Sequence, residues 1–351
     1  MSVRLRDAMA SLPVYVPGAK RPDAIVLASN ESPYGLLPSV ADVLTAHVDR
    51  SSRYPDAAAT RLTEAIAAHH GVDPARVAVG AGSVEVCGEL TNAAVDAGDE
   101  VVFGWRAFEA YPIITAVVGG TAVKVPLTAD HVHDVDAMAA AVSDRTRLVF
   151  LCNPNNPTGT VVGEGELRRL VDNIPEHVLV VIDEAYREYV DPTLVPDASL
   201  LFADRPNVAV TRTFSKAYAL AGLRVGYCLA APEVAAAARK CQVTFSVSAL
   251  AQEAAIAALG EGEEVARRAK LTVAERERVR AALLAAGYEV PPSQANFVWL
   301  VLGERSADFA AACLEAGIIV RPFAGEGVRV TIGADGENDR FLSVAKGFSG
   351  R

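Results

Sequence analysis

The sequence offers no cysteine framework. Its five cysteines, Cys87, Cys152, Cys228, Cys241 and Cys313, are scattered, odd in number and free of any C-x-x-C pair. That excludes a disulfide-stapled scaffold and predicts reduced thiols serving as small buried hydrophobes. Basic clusters are also missing: 33 Lys and Arg stand against 43 Asp and Glu, for a net charge of −10. Nucleic acid and anionic membrane surfaces are therefore poor partners, since neutralising phosphates requires clustered cations. No run approaches the ~20 apolar residues of a membrane span. The first residues, "MSVRLRDAMASLPVYV", are broken by charges and Pro13 and form no signal-peptide core. The expectation is a cytoplasmic protein. There is no G-x-G-x-x-G fingerprint and no P-loop lysine, which removes a nicotinamide-dependent dehydrogenase from consideration. The six histidines form no H-E-x-x-H, and "HVH" at 131–133 reads as an exposed loop, not a metal site.

What is present is a 351-residue globular chain, 51% hydrophobic and 22% charged, long enough for two domains. Short β-branched runs alternate with amphipathic stretches. "RVAVG", "EVVF", "RLVFLC", "VLVVI" and "NVAVTR" read as strands, and 60–70, 83–95 and 164–173 as helices, with glycine stops at Gly71 and Gly98. Continuously apolar strands alternating with helices imply an α/β fold with a mainly parallel sheet covered on both faces. After about residue 245 the pattern changes to a long helix, "ANFVWLVL", a helix over 306–316, "GIIVRPF", "GVRVTIG" and a last helix from about 337. This reads as a smaller α/β unit, joined through the Ser/Ala-rich stretch near 246–252. The expected division is an N-terminal arm contributing to the small unit (1–34), a large domain (35–245) and a small domain (246–351). The alanine tract at 235–238 reads as ordinary helix surface.

Open parallel sheets bind ligands beyond the carboxyl ends of their strands. The five strand candidates are followed by "GAGSVE", "GWRAFEAY", "NPNNPTG", "DEAY" and "TFSKAYALAGLRVGY". Each has a plain reading: a tight turn with Ser83 as N-cap, Phe108 as core, a proline-punctuated loop, and acids at a helix start. A lysine among small and apolar residues is harder to explain that way, because lysine normally faces solvent.

Together, "NPNNPTG", "VIDEAY" and "SKAYALAGLRVGY" resemble the fold-type I pyridoxal-phosphate aminotransferases, in the same order and along nearly the whole chain. "LPVYVPG", "LASNESPYG", "RYPD" and "VRVTIG" are similar to the histidinol-phosphate aminotransferase branch and its aromatic aminotransferase relatives. The resemblance implies pyridoxal 5'-phosphate as cofactor, carried by Lys216, which also shuttles the substrate Cα proton. It implies a phosphate cradle of Thr213, Ser215 and Arg224 with the turn Gly82, Ser83 and Val84. Phe108 would stack on the ring, Asp183 pair with its nitrogen, and Asn156 and Tyr186 bond its hydroxyl. Arg329 would grip the substrate α-carboxylate with Asn30 nearby, and Tyr54 would reach the phosphate in a neighbouring subunit, making a homodimer with shared sites. Cofactor-binding regulators and lyases share this fold; the absence of a DNA-binding extension and the carboxylate arginine favour transamination.

Arg321 matches the position of a substrate-phosphate arginine in the histidinol-phosphate enzymes. Here Pro322 and Phe323 follow it, and Glu326 is expected to bring a negative charge beside it. "PPSQANFVWL" and "FGWRAFEAYP" look most like the aromatic enzymes. The expectation is amino transfer between phenylalanine or tyrosine and 2-oxoglutarate, with histidinol phosphate as the alternative substrate.

Overall fold

The computed structural model describes residues 21–349, with Val3, Arg6 and Leu12 of the preceding segment. All of the "LPVYVPG" motif but Leu12, and half of the expected arm, lie outside the described residues. Among the described residues twelve strands run in chain order as β1 (Ile25–Val26), β2 (Val77–Gly80), β3 (Glu100–Trp105), β4 (Thr121–Pro126), β5 (Thr146–Cys152) and β6 (Leu179–Asp183). They continue with β7 (Val208–Thr213), β8 (Gly226–Leu229), β9 (Phe297–Val301), β10 (Ile318–Ile319), β11 (Arg321–Phe323) and β12 (Gly327–Thr331).

A seven-stranded sheet has the order β2-β8-β7-β6-β5-β3-β4. All its pairings are parallel except those of β8, which runs antiparallel to β2 and β7. Alternation along β5 divides its side chains: Leu148, Phe150 and Cys152 join one core cluster, Val149 and Leu151 the cluster on the other face. Both faces are thus buried, which is why the strands read as unbroken apolar runs. Helix Ser83–Ala94 and helix Pro232–Cys241 cover one face. Ala235 and Ala238 are fully buried in this cluster, not surface, and their small side chains let the two helices pack closely.

The glycine stops divide in the same way. Gly71 caps helix Thr60–His70 in the left-handed conformation, φ 65°. Helix Ser83–Ala94 ends at a C-cap of Val95, so Gly98 does not close it but turns the chain into β3 with φ 96°. Two strands of the seven-stranded sheet carried no sequence signal strong enough to be expected, β4 at the sheet edge and the four-residue β8.

Beyond residue 285 lies an antiparallel sheet, β11-β12-β9, with β1 pairing β10 beside it. The chain at Leu27 stitches these together: its N–H bonds Ile319 O at 2.7 Å and its carbonyl accepts from Thr331 N at 2.9 Å. The 246–252 stretch opens helix Ala249–Leu259, whose Ala251, Ala254, Ala255 and Ala258 pack with Leu62, Ile66, Val77 and Val79. No helix among the described residues is long and apolar enough to cross a membrane. Four of the cysteines are buried, Cys241 is half-buried, and none is in a disulfide.

Candidate active site

A cavity of about 1120 Å³ opens at the carboxyl ends of β2, β3, β5, β6 and β7, closed on its far side by β10, β11 and β12. It takes in every site residue expected from the sequence except Gly82, which sits just behind its wall, and Tyr54.

Lys216 follows β7 in a loop anchored on both sides by apolar residues: Phe214, Ala217 and Leu220 are buried. Leu220 N bonds Phe214 O, and Ala219 N bonds Lys216 O, each at 3.0 Å. The loop thus has its own backbone bonds and a hydrophobic footing, while Ser215, Lys216 and Ala221 face the cavity. Its Nζ donates to Ser29 O at 3.2 Å and lies 5.9 Å from the Tyr186 ring. Burial, then the nearby Arg329 charge, lowers Lys216 to about 7. A substantial neutral fraction exists at neutral pH.

Asp183 ends β6, almost fully buried. Tyr111 Oη donates to its Oδ2 at 2.9 Å and Thr211 Oγ1 to its Oδ1 at 3.0 Å. Burial pushes its carboxyl up, and these hydrogen bonds oppose the shift. Tyr111 is in turn stacked on Phe150, with ring centroids 4.3 Å apart, and meets Phe108 edge-on at 5.6 Å. Neither Tyr111 nor Thr211 was expected as a site residue. Tyr111 stands three residues after Phe108, a helical spacing that offered the one local hint.

At the other end of the cavity, helix Ser83–Ala94 begins with Gly82 as N-cap, and no side chain caps it. Ser83 is therefore the first helical residue and not the cap. The N–H groups of Ser83 and Val84 have no acceptor among the described residues and point out of the helix end, where the dipole favours an anion. A Cβ on Gly82 would come within 2.4 Å of Arg224 Nη2, and one on Gly226 within 2.3 Å of Ser83 N. Glycine at these two points lets Arg224, β8 and the helix end converge. Ser215 N and Oγ lie beside Thr213 Oγ1 at 3.1 and 2.9 Å, and Arg224 Nη1 reaches Ser215 Oγ at 3.4 Å.

Arg329, on β12, is buried and donates to Asn156 Oδ1 at 2.5 Å and Ala28 O at 2.6 Å. Asn30, at φ 55°, donates to Tyr186 Oη at 2.9 Å, and its backbone N–H bonds Thr331 Oγ1 at 2.9 Å. Burial raises the Tyr186 hydroxyl well above its ordinary value, so it stays protonated.

Arg321 is the Cα partner of Arg329 across the β11–β12 pair. Its Nη2 donates to Glu109 Oε2 at 2.8 Å. Glu326 does not supply the negative charge expected beside Arg321: it is engaged bidentately by Arg106 and does not line the cavity. Glu109, next to Phe108, supplies it instead. Tyr54 is 82% exposed, stacked on Phe245 at 4.6 Å, and does not line the cavity. His133, expected in an exposed loop, is buried with Nε2 3.1 Å from Cys152 O, because Gly104 leaves it the space. No cluster of metal-ligating side chains occurs among the described residues.

An uncapped helix N-terminus beside Arg224, a buried carboxylate, a lysine of lowered pKa and two arginines share this one cavity. Residues 22–345 match the family described as aminotransferase class I and II, and the chain belongs to it. It is a pyridoxal-phosphate-dependent transaminase of fold type I. Aromatic amino acid aminotransferases of Thermobifida fusca and Rhodococcus jostii are 56% and 54% identical to it. The matches cover 99% and 98% of this chain and 98% and 96% of those relatives. The crystal structure of histidinol-phosphate aminotransferase from Sinorhizobium meliloti with pyridoxal-5'-phosphate superposes with a TM-score of 0.90 at 30% identity, over 99% of both chains. The residues present fit that cofactor: the uncapped helix end suits its phosphate, Asp183 its ring nitrogen and Lys216 its aldehyde. The volume exceeds the upper range of small-ligand pockets, about 1,000 Å³, and so leaves room for a substrate.

Proposed function

We propose that this enzyme moves the amino group between an aromatic amino acid, phenylalanine or tyrosine, and 2-oxoglutarate. The observation that carries the substrate class is the wall facing Lys216, where Leu314, Ile319, Val320, Pro322 and Phe323 offer apolar surface to a side chain. Burying a phenyl group there contributes roughly 1.5–3 kcal/mol. The names of the relatives at 54–56% identity support the same reading.

Bound pyridoxal phosphate supplies an electron sink for the pair released when the substrate Cα–H bond breaks. Thr213, Ser215, Arg224 and the N–H groups of Ser83 and Val84 hold the phosphate. Phe108 flanks the ring, and Asn156 and Tyr186 reach its hydroxyl. Asp183 holds a proton on the ring nitrogen: a positive partner reverses the effect of burial and keeps the carboxylate ionised. Arg329 fixes the α-carboxylate common to both substrates, aided by Asn30. Lys216, when free, has a substantial neutral fraction near pH 7, and that neutral amine takes the Cα proton, returning it on the other side of the reaction.

In the same reading the enzyme is a cytoplasmic homodimer, with Tyr54 reaching the partner's site. Its exposed stack with Phe245 and its position outside its own cavity support that role. Residues 35–245 form the cofactor-holding unit, 246–351 the smaller one and 1–34 the arm. The stitching of Leu27 to Ile319 and Thr331 supports the arm, while helix Ala249–Leu259 packs on the larger unit. A second reading, histidinol phosphate as amino donor, is favoured by Arg321 at the cavity wall. A panel of donors against 2-oxoglutarate tests the assignment. Phenylalanine or tyrosine is expected to exceed histidinol phosphate in kcat/KM, and the reverse order overturns it.

A further inference from the structure

Two arginines on neighbouring strands face one cavity. Arg321 and Arg329 are direct cross-strand partners, an arrangement of like charges that is unfavourable unless each has its own acceptor. Arg329 has Asn156 and Ala28 O. Arg321 has a full counter-charge, Glu109, contributed from the opposite side of the cavity by the loop that follows β3. Both members of this pair line the cavity and are partly exposed, 26% and 43%. Glu109 is also the N-cap position of helix Ala110–Val118, and a carboxylate at a helix N-terminus is favoured by the helix dipole.

We propose that Glu109 sets the side-chain selectivity of the site by standing in for a substrate anion on Arg321. This rests on the reading of the chain as a transaminase with Arg321 beside the substrate side chain. With Glu109 in place, a neutral ring enters a pocket whose cation is already neutralised, and no charge is left unpaired. A dicarboxylate has to displace Glu109 before Arg321 can bind its distal group. The internal pair therefore favours aromatic over anionic side chains, and makes the use of 2-oxoglutarate an exchange of one carboxylate for another on the same guanidinium. Glu326 cannot take this part, since Arg106 engages it away from the cavity.

The test compares two unreactive ligands on the holoenzyme by calorimetry: glutarate, with a distal carboxylate, and 3-phenylpropionate, with a ring. Glu109→Gln keeps the shape and removes the charge. It is expected to tighten glutarate at least tenfold relative to 3-phenylpropionate, and the steady-state ratio of kcat/KM for 2-oxoglutarate over phenylpyruvate is expected to rise with it, mainly through KM. Adding Arg321→Ala to Glu109→Gln is expected to abolish the gain. Because each comparison is made within one variant, losses of fold or cofactor loading cancel. Equal changes for both ligands, or no change, overturn the proposal. So does a gain that survives Arg321→Ala. The donor panel on the unaltered enzyme separately tests the aromatic assignment, and its failure leaves the binding ratios of Glu109→Gln interpretable.

Discussion

Removing Arg329 is expected to damage both half-reactions equally, and that equality is the informative part. Arg329 is buried, and its guanidinium lies 5.5 Å from the Phe297 ring with Asn156 and Ala28 O as acceptors. Its position is therefore fixed before any substrate arrives. Truncating one member of a buried, hydrogen-bonded charge pair costs about 2–5 kcal/mol. At a factor of ten per ~1.4 kcal/mol, Arg329→Ala should lower kcat/KM by roughly 30- to 4,000-fold. The α-carboxylate belongs to amino donor and oxo acceptor alike, so the losses for phenylalanine and for 2-oxoglutarate should agree within a few-fold. Arg321→Ala should behave differently, harming 2-oxoglutarate and sparing phenylalanine. Each half-reaction can be followed on its own in single turnovers through the cofactor's absorbance change. A loss confined to one substrate in Arg329→Ala, or one smaller than about fivefold, refutes the assignment of Arg329 to the α-carboxylate.

Glu89 offers a test of the fold through pH. It is buried, neither carboxylate oxygen has a hydrogen-bond partner among the described residues, and burial followed by the Glu85 charge pushes it up to about 8. The folded state then holds a proton that the unfolded state releases near pH 4.5, so this contribution to stability is complete below that value and is lost as pH rises through 8. Glu89→Gln should gain on the natural protein as pH rises, by about 1–3 kcal/mol at pH 9 in chemical denaturation; a difference constant from pH 5 to 9 counts against it. Tyr54→Phe should weaken cofactor binding by about 1–3 kcal/mol through loss of one charge-assisted hydrogen bond to the partner's phosphate. An unchanged cofactor Kd, or a fully active monomer, contradicts the shared-site dimer.

The strand ends were legible because a parallel sheet buried on both faces leaves continuous apolar runs, and the polar residues that follow them stand out. β4 was not legible: "TAVKVP" at the sheet edge is largely exposed, and its Lys124 lies over the Trp105 ring 4.3 Å away. β8 is four residues long and antiparallel, folded back directly from the lysine loop. In the site, Lys216, Asp183, Asn156 and Arg224 announced themselves through local motifs. The residues that position them did not. Tyr111 and Thr211 reach Asp183 across 72 and 28 residues, and Glu109 reaches Arg321 across 212. Pairings over such distances depend on strand order, which a single sequence does not display. The misassignment of Glu326 has the same origin: it is near Arg321 along the chain, yet its partner is Arg106, 220 residues away.

Lys216 as the carrier of the cofactor is tested by reductive trapping. Sodium borohydride makes a reversible carbon–nitrogen link between cofactor and lysine permanent, and peptide mass spectrometry then locates it. The expected result is a single modified peptide containing Lys216, absent from a folded Lys216→Ala variant that has lost turnover. Modification instead at Lys20, Lys124, Lys240, Lys270 or Lys346, or at none, would rule out Lys216 as the cofactor's lysine.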